Sequence, residues 1–416
     1  MNKNKYVILT GTYCSKNKGD AAMQQIMANE LISRLKDIKL VIASPFPELD
    51  IPYYKPVSVI RSRRRNLPFA TLTWLLLEAL KLIQYRLKSF PFDDEINTMI
   101  QARIIIDLSG DMLTEDYGPL VGYSHLLPLM QAQAIGLPVA ICAQTVGPFR
   151  WLKPLIKRIF SQAKLITIRD TLSLNLLAKL NMPTIIPVHT ADLAFMLQSA
   201  PKNRIDSILA IEGIPPHTRP RLGVSISALL TNKINRHLGA DNQKTMKVFA
   251  NALDQVVEKL GIEMLLISHV YGPRSSADDR LVAYRLSELM QHKPLTLNDE
   301  YRPEEIKGVI ASCDAFVGCR MHANIAALDS GIPVLAIGYS HKTQGIFNDL
   351  GLSEWVLDVN NLETEQLSAA IMKLFSEDSA YRRQLAISLP AMKKRSRQNI
   401  DAVLQLITGQ PGMATE

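Results

Sequence analysis

Short apolar runs alternate along the chain with longer segments in which apolar residues recur every three or four positions. The first run, Tyr6–Thr10, is followed by a polar turn at 11–19 and a helical pattern at 20–35. A short apolar run predicts a buried strand, and the longer spacing predicts a helix with an apolar face. Further strands are predicted at 40–43, 104–108, 138–143 and 165–168. Strands joined by helices predict a parallel sheet with helices on both faces.

The alternation starts again at Leu222, with predicted strands at 222–226, 263–267, 315–317 and 334–337. The intervening segment 198–220 is rich in Pro, Lys and Arg and weakly periodic, so we interpret it as a linker. A chain of 416 residues also exceeds one ordinary core. The prediction is an α/β protein with two Rossmann-like domains, 1–200 and 201–385, whose parallel sheets face a cleft. A C-terminal helix and tail at 386–416 complete it.

Composition indicates a folded protein of a reducing compartment. Hydrophobic residues make up 47% and charged residues 21% of the chain, which argues against disorder. The four cysteines match no zinc spacing, and no window of about twenty apolar residues predicts a spanning helix. The first apolar run is too short for the core of a signal peptide. We therefore expect a cytoplasmic protein without a metal site.

The net charge of +8 favours anionic partners. The densest basic clusters, at 61–65 and 393–397, are not interleaved with exposed aromatics, which argues against nucleic acid. Solvated basic faces are the simpler explanation. The segment 66–90 differs, because a very apolar, Trp-bearing helix follows the arginines. It is interpreted either as a helix in peripheral contact with a membrane or as a helix buried on the first sheet.

Arg320 and His322 are the strongest candidates for chemistry. They lie at the start of a predicted helix after the strand at 315–317, and His341 and Lys342 follow the next strand. A helix N-terminus favours anions, an arginine fork suits carboxylate or phosphate, and an imidazole moves protons near neutral pH. The pattern predicts a site for a small, highly charged anion on which acid–base chemistry is done. Chance convergence of two cationic pairs is the alternative.

Other polar residues follow the predicted strands, at the sheet edge where open parallel sheets bind ligands. They are Asn17, Gly19 and Asp20 in the first turn, Asp111, Gln144, Arg169 with Ser173, and His269 in the second half. Each has a structural alternative: Asp20 and Asp111 can cap helices, and Arg169 can form a surface ion pair. His125 lies in an apolar helix, where a lone histidine is more often structural.

Together these residues resemble the polysaccharide pyruvyl transferase family over roughly 7–352. The specific matches are the Asn-Lys-Gly-Asp turn ending at Asp20, residues 144–148, the Arg-Asp-x-x-Ser motif at 169–173, Asp192, and above all 318–345 with its Arg-Met-His-Ala-Asn string. The resemblance implies a fold similar to the two-domain GT-B glycosyltransferases. It implies phosphoenolpyruvate as donor, a glycan or lipid-linked sugar as acceptor, a ketal product, and neither cofactor nor metal.

The resemblance also assigns residues. Arg320 and His322 match the donor-site Arg-x-His, Arg169 matches the other arginine, and Lys342 matches the lysine after the strand. Departures at 21–22 and 109–111 lie in the half where the resemblance places the acceptor, which leaves the acceptor's identity open.

We therefore predict His322 and Arg320 as catalytic groups, with Asp20 or Asp111 as base. The remaining predicted substrate-binding residues are Asn17, Gly19, Gln144, Arg169, Ser173, His269, His341 and Lys342. A glycosyltransferase using a nucleotide sugar and a non-catalytic glycan- or anion-binding module are the alternatives. The sequence leaves a homo-oligomer open.

Overall fold

The computed structural model of the chain describes residues 6–82, 90–180, 186–216, 218–228, 242–338 and 341–409; the side chains at 242, 243, 341 and 342 are outside this description. The chain divides into two compact units. The first comprises Met1–Ser15, Asp20–Met196 and Lys393–Glu416, and the second comprises Lys16–Gly19 and Leu197–Met392.

Within the described ranges, the first unit is built on a seven-stranded sheet. Its strands are β1 (Tyr6–Thr10), β2 (Lys39–Ser44), β3 (Ser58–Arg61), β4 (Ala102–Asp107), β5 (Val139–Gln144), β6 (Leu165–Ile168) and β7 (Val188–His189). They pair in parallel in the order β3-β2-β1-β4-β5-β6-β7. Ile8 on β1 lies opposite Val41 on β2 and Ile105 on β4. The central strands are covered on both faces, which explains their nearly continuous apolar sequences.

Helices connect these strands and cover the sheet. They are α1 (Lys18–Arg34), α2 (Pro47–Tyr53), α3 (Leu67–Leu82), α4 (Asp94–Gln101), α5 (Pro119–Ile135), α6 (Lys153–Gln162) and α7 (Thr171–Ala178). Leu77 of α3, Leu126 of α5 and Phe160 of α6 meet in one core cluster with Ile105 and Ile141 of the sheet. Burial of these apolar faces holds the helices on the strands.

The second unit repeats the plan with six strands in its described part. These are β8 (Arg221–Ser225), β9 (Glu263–Ile267), β10 (Leu295–Leu297), β11 (Ala315–Gly318), β12 (Val334–Gly338) and β13 (Val356–Asp358), parallel and in the order β10-β9-β8-β11-β12-β13. The helices are α8 (Lys202–Ile211), α9 (Asn242–Leu260), α10 (Asp279–Leu289), α11 (Pro303–Ile310), α12 (Met321–Asp329), α13 (His341–Asp349), α14 (Thr364–Ser376) and α15 (Asp378–Thr408). Across the described ranges, no helix combines the length and the apolar character needed to cross a bilayer.

Both strand orders reverse beside the first strand of the sheet, between β1 and β4 and between β8 and β11. Loops diverge at such a reversal, and open parallel sheets bind their ligands there, outside the carboxyl ends of the strands. In the second unit the Cys319 N–H, directly after β11, donates at 2.8 Å to the carbonyl of Ser225, the last residue of β8, so Arg320 follows the ends of these two strands. Arg320 and His322 therefore lie at the position where a sheet of this kind binds its ligand.

The prediction of two α/β units with parallel sheets is confirmed. The segment predicted as a linker instead contains α8, which packs on α11 where Gly308 leaves room for Ile205. The last helix begins at Asp378 rather than near 386, and its residues from Lys393 belong to the first unit.

Candidate functional site

The loop Lys16–Gly19 is held in the second unit by backbone hydrogen bonds. The Lys18 N–H donates to the His269 carbonyl at 3.1 Å, and the Tyr271 N–H donates to the Lys16 carbonyl at 2.9 Å. The Asn17 side-chain oxygen accepts the Gly19 N–H at 3.2 Å, which fixes the turn. These bonds place the predicted residues Asn17 and Gly19 beside the loop that follows β9.

His322 packs directly on Gly19. A Cβ built at Gly19 would lie 2.0 Å from Nδ1, 2.3 Å from Cγ and 2.7 Å from Cβ of His322. No larger residue fits without moving the imidazole, because the clash reaches the root of the histidine side chain. His322 lies in the first turn of α12, so its ring occupies a defined place at the helix N-terminus.

Arg320 precedes α12 in extended backbone, and its guanidinium pairs with Asp279. Nη2 donates to Oδ1 at 2.6 Å and Nε donates to Oδ2 at 3.0 Å, a two-pronged geometry. Asp279 is fully buried and also accepts the backbone N–H groups of Ala228 and Val270, at 3.0 and 3.1 Å. Asp279 therefore fixes Arg320, and only 13% of the arginine side chain is exposed.

His269 lies within electrostatic range of Lys18, Arg320 and His322, and the four side chains form one cluster. His269 is buried; burial, together with the charges of His322, Arg320 and Lys18, holds its pKa well below the ordinary value. Its Nδ1 makes no hydrogen bond to any described residue. Lys18 is buried, forms an ion pair with Glu300 at 2.6 Å and lies 5.2 Å from the centre of the Tyr271 ring. An anion placed here would be attracted by the charges of Lys18 and Arg320, and the neutral ring of His269 would offer it a hydrogen bond.

His341 and Lys342 are the first two residues of α13, and two residues separate them from the end of the strand β12. Their side chains lie outside the described part of the chain, so their predicted substrate contacts stay predictions.

In the first unit, Gln144 is a support for a buried carboxylate. Asp107, the last residue of β4, accepts hydrogen bonds at Oδ2 from Ser109 Oγ at 2.6 Å and Gln144 Nε2 at 2.9 Å. Gln144 is fully buried and also donates to the Cys142 carbonyl at 3.1 Å. These contacts indicate a positioning role for Gln144, and its predicted substrate contact stays a prediction.

Asp107→Asn is expected to flatten part of the pH dependence of stability. Burial raises the pKa of Asp107 from 3.8 to about 6, so the folded protein binds this proton more tightly than the unfolded chain. The contribution of Asp107 to stability is thus present at low pH and is lost as the pH rises through about 6. The loss amounts to about 3 kcal/mol.

Urea unfolding across this pH range measures the effect. The unfolding free energy of Asp107→Asn minus that of the unmodified protein should increase as the pH rises. Asp206→Asn, which changes an exposed carboxylate of α8, serves as control and should not show this trend. Parallel pH curves for Asp107→Asn and the unmodified protein would contradict the assignment.

Arg169 is buried, not part of a surface pair. Its Nη1 forms an ion pair with Asp192, and its Nε donates to Thr145 Oγ1 at 2.9 Å. Because both partners are also buried, the guanidinium is held firmly at the end of β6. Its predicted contact with the donor stays a prediction, and Asp192 and Thr145 are the groups with which a ligand would compete.

Ser173 has a structural place in the same turn. Asp170 caps α7 by accepting the Ser173 N–H at 2.8 Å, and the Ser173 hydroxyl donates to Asp170 at 2.9 Å. The same hydroxyl accepts the Val146 N–H at 3.0 Å. Ser173 is fully buried, so these bonds indicate that it shapes the turn, and its predicted substrate contact stays a prediction.

Asp20 and Asp111 are partly exposed in the first unit. Asp20 accepts the Tyr13 N–H at 2.7 Å, and Asp111 accepts the Tyr117 hydroxyl at 2.8 Å. Both carboxylates act electrostatically on a buried pair: Asp20 on Arg64, and Asp111 on His125. Each keeps the partial exposure that a group contacting a sugar hydroxyl needs.

Arg64 and His125 form the buried pair. Arg64 Nη1 donates to His125 Nδ1 at 3.0 Å and to the Gly11 carbonyl at 2.8 Å. Burial, followed by the charge of Arg64, holds the pKa of His125 well below its ordinary value, which favours a neutral ring. The structural interpretation of His125 is therefore supported. Arg64, predicted as part of a solvated basic cluster, is instead an internal anchor for the loop after β1.

Sequence reasoning missed Lys18, Asp279, Glu300, Asp107 and Arg64 as parts of these networks. The sequence did contain a signal for Asp107, because this carboxylate ends a largely apolar strand. The sequence contains no such signal for Asp279 and Glu300, since their partners, Arg320 and Lys18, lie far away in the chain. Across the described residues, no group of three or more His, Cys, Asp or Glu side chains is arranged to hold a metal ion.

Comparison with known proteins gives a family match and a fold. The family model described as polysaccharide pyruvyl transferase matches residues 17–341. The amylovoran biosynthesis protein AmsJ of Erwinia amylovora is 24% identical over 408 residues, which cover 91% of this chain and 94% of AmsJ.

Two solved structures are similar over nearly the whole chain. The S. aureus MnaA–UDP co-structure has a TM-score of 0.65 at 9% identity, covering 99% of this chain and 100% of MnaA. The UDP-GlcNAc 2-epimerase from Neisseria meningitidis bound to UDP-GlcNAc has a TM-score of 0.57 at 12% identity, covering 96% and 100% of the two chains. Identities this low show the fold alone, which is GT-B-like, as predicted.

Proposed function

The chain belongs to the polysaccharide pyruvyl transferase family, and on this premise we propose that it transfers pyruvate from phosphoenolpyruvate to two hydroxyls of a glycan sugar. The product is a ketal, and inorganic phosphate is released. The main support is the cluster of Lys18, His269, Arg320 and His322 at the strand-order reversal of the second unit. It suits a donor that bears both a carboxylate and a phosphate.

The chemistry follows from the donor's enol double bond. Protonation of the terminal carbon by the His322 imidazolium, which becomes a neutral imidazole, produces a cation at the neighbouring carbon. One sugar hydroxyl attacks that carbon, the carbon–oxygen bond to phosphate breaks, and a second hydroxyl closes the ketal. One of the two hydroxyl protons replaces the proton that carbon gained, and the other leaves with phosphate. Arg320 and Lys18 stabilise the donor's negative charge while this happens.

We assign acceptance of the hydroxyl protons to Asp20 or Asp111. General acid–base catalysis by positioned groups of this kind contributes about 10²–10⁴-fold. The name of AmsJ concerns amylovoran, so we propose that the acceptor here is also a sugar of an exopolysaccharide or of its lipid-linked precursor. We propose further that transfer needs no metal ion.

Phosphate release from phosphoenolpyruvate, screened across sugar and lipid-linked acceptors, tests the proposal. We expect release only with a diol acceptor, unchanged by a chelator, and a product heavier than the acceptor by one pyruvate less one water. Thermal stabilisation should be stronger with phosphoenolpyruvate than with UDP-GlcNAc. Stabilisation by UDP-GlcNAc alone, together with sugar transfer from it, would favour a glycosyltransferase instead.

Gly19→Ala is expected to reduce phosphate release by about 100-fold, an effect within the range for a displaced catalytic group. The new methyl group would occupy the place of the His322 ring, so either the ring or the loop Lys16–Gly19 must move. Gly261→Ala is the control, because its Cβ would meet nothing within 4 Å. That change strains a backbone with φ +62° and should cost stability but not activity. A fully active Gly19→Ala protein would show that the imidazole position is unimportant.

A further inference from the structure

Helix α3 has two opposite apolar faces. One face, formed by Ala70, Thr73, Leu77 and Leu80, is buried in the first unit. It is fixed by Gln131 of α5, which donates to the Ala70 carbonyl at 2.9 Å. A surface helix normally has polar residues on its other face.

The outer face of α3 is apolar instead. Its residues Leu72, Leu75, Ala79 and Leu82 follow the three- and four-residue spacing of a single helical stripe, which we call the outer stripe. Leu72 is 67%, Leu75 51% and Leu82 84% exposed. A contiguous exposed apolar row of this kind marks an interaction surface rather than scattered surface leucines.

Basic side chains lie at both ends of α3 and contact it from α6; of those before the helix, Arg61 pairs with Glu48 and Arg63 with Asp93. Arg61, Arg63 and Arg65 are exposed just before α3, and Lys81 is exposed at its end. Arg158 of α6 is 45% exposed, pairs with Glu78 at 2.6 Å and stacks over the partly buried Trp74. Glu78 is the one acidic residue in segment 61–82, whose exposed basic residues are Arg61, Arg63, Arg65 and Lys81.

We infer that the outer stripe and its basic rim dock the first unit on an anionic lipid bilayer. An apolar strip with a cationic border matches acyl chains beneath negative headgroups. A second copy of this chain fits less well, because a symmetric contact through the stripe would bring two basic rims together. The sixteen residues of α3 would lie in the plane of the headgroups. This inference does not depend on the proposed reaction.

Vesicle flotation of the full chain tests the inference. We expect binding to vesicles of phosphatidylcholine mixed with phosphatidylglycerol, weak binding to phosphatidylcholine alone, and loss of binding at high salt because exposed charges are screened. Leu72→Glu with Leu75→Glu should reduce binding by about tenfold or more, since both charges would enter the apolar layer.

The matched control is Ile211→Glu with Ile387→Glu, at positions of the second unit that are 69% and 75% exposed. It should bind vesicles like the unmodified protein. Phosphate release with a water-soluble acceptor should be the same for both double variants, which separates docking from the reaction. Equal vesicle binding by both double variants would overturn the inference. So would a dimer of the unmodified chain that Leu72→Glu dissociates, without vesicle binding.

Discussion

Replacing His322 with alanine is expected to lower phosphate release from phosphoenolpyruvate by about 10²–10⁴-fold, the contribution of a positioned proton donor. The loss should appear in kcat, because Arg320 and Lys18 remain to bind the donor. The protein should stay folded, since His322 lies in the first turn of a helix and its ring packs on a loop rather than in the core. Stopped-time assays of phosphate with saturating donor, and thermal unfolding of the same samples, measure both effects.

His292→Ala is the control for this prediction. It removes another histidine of the second unit, 42% exposed, that lies near Glu258. It should leave kcat unchanged. In heavy water, the unmodified protein should place deuterium in the methyl group of the ketal, and His322→Ala should do so only at its reduced rate. Unreduced turnover of a folded His322→Ala protein would exclude the imidazole as the proton donor.

The sequence predicts the centre of each sheet better than its edges. The central strands were predicted within about two residues, because strands buried on both faces have continuous apolar runs. The four strands that the pattern missed are β3, β7, β10 and β13, and each is the edge of its sheet. They have two to four residues and are only partly buried, so their sequences resemble those of loops.

The site was predictable only where its chemistry lies in one continuous segment. Arg320 and His322 are two residues apart, and the motif is visible without a structure. The contact between Gly19 and His322 joins positions about three hundred residues apart, and no local pattern encodes it. Asp279 is similarly invisible as the partner of Arg320, because an acidic residue at the start of a helix is first interpreted as a cap.

Polar residues at strand ends were the hardest to interpret. Asp111 and Ser173 look alike in the sequence, since each follows a strand and opens a turn. The structure leaves Asp111 partly exposed but turns Ser173 fully inward, with its hydroxyl bonded to Asp170 and Val146. A buried hydroxyl must be satisfied internally, and the sequence does not contain the distances that decide this.

Arg320→Ala is expected to abolish phosphate release and also to destabilise the protein by about 3–5 kcal/mol, the usual cost of removing one partner of a buried ion pair. Asp279 would be left as a buried carboxylate whose remaining partners are two backbone N–H groups. A loss of activity in this variant alone would therefore not show that Arg320 binds the donor. Urea unfolding gives the stability, and the phosphate assay with a donor titration gives kcat and KM.

Two further variants separate stability from donor binding. Arg320→Ala with Asp279→Ala removes both charges and should recover part of the lost stability, because no uncompensated carboxylate remains. It should stay inactive, since the guanidinium proposed to bind the donor is still missing. Arg320→Lys keeps the charge but loses the two-pronged geometry, so it should fold and show a raised KM. Recovery of activity in the stable double variant would make Arg320 a purely structural partner of Asp279, and the donor would then have to be bound by Lys18 and the N-terminus of α12.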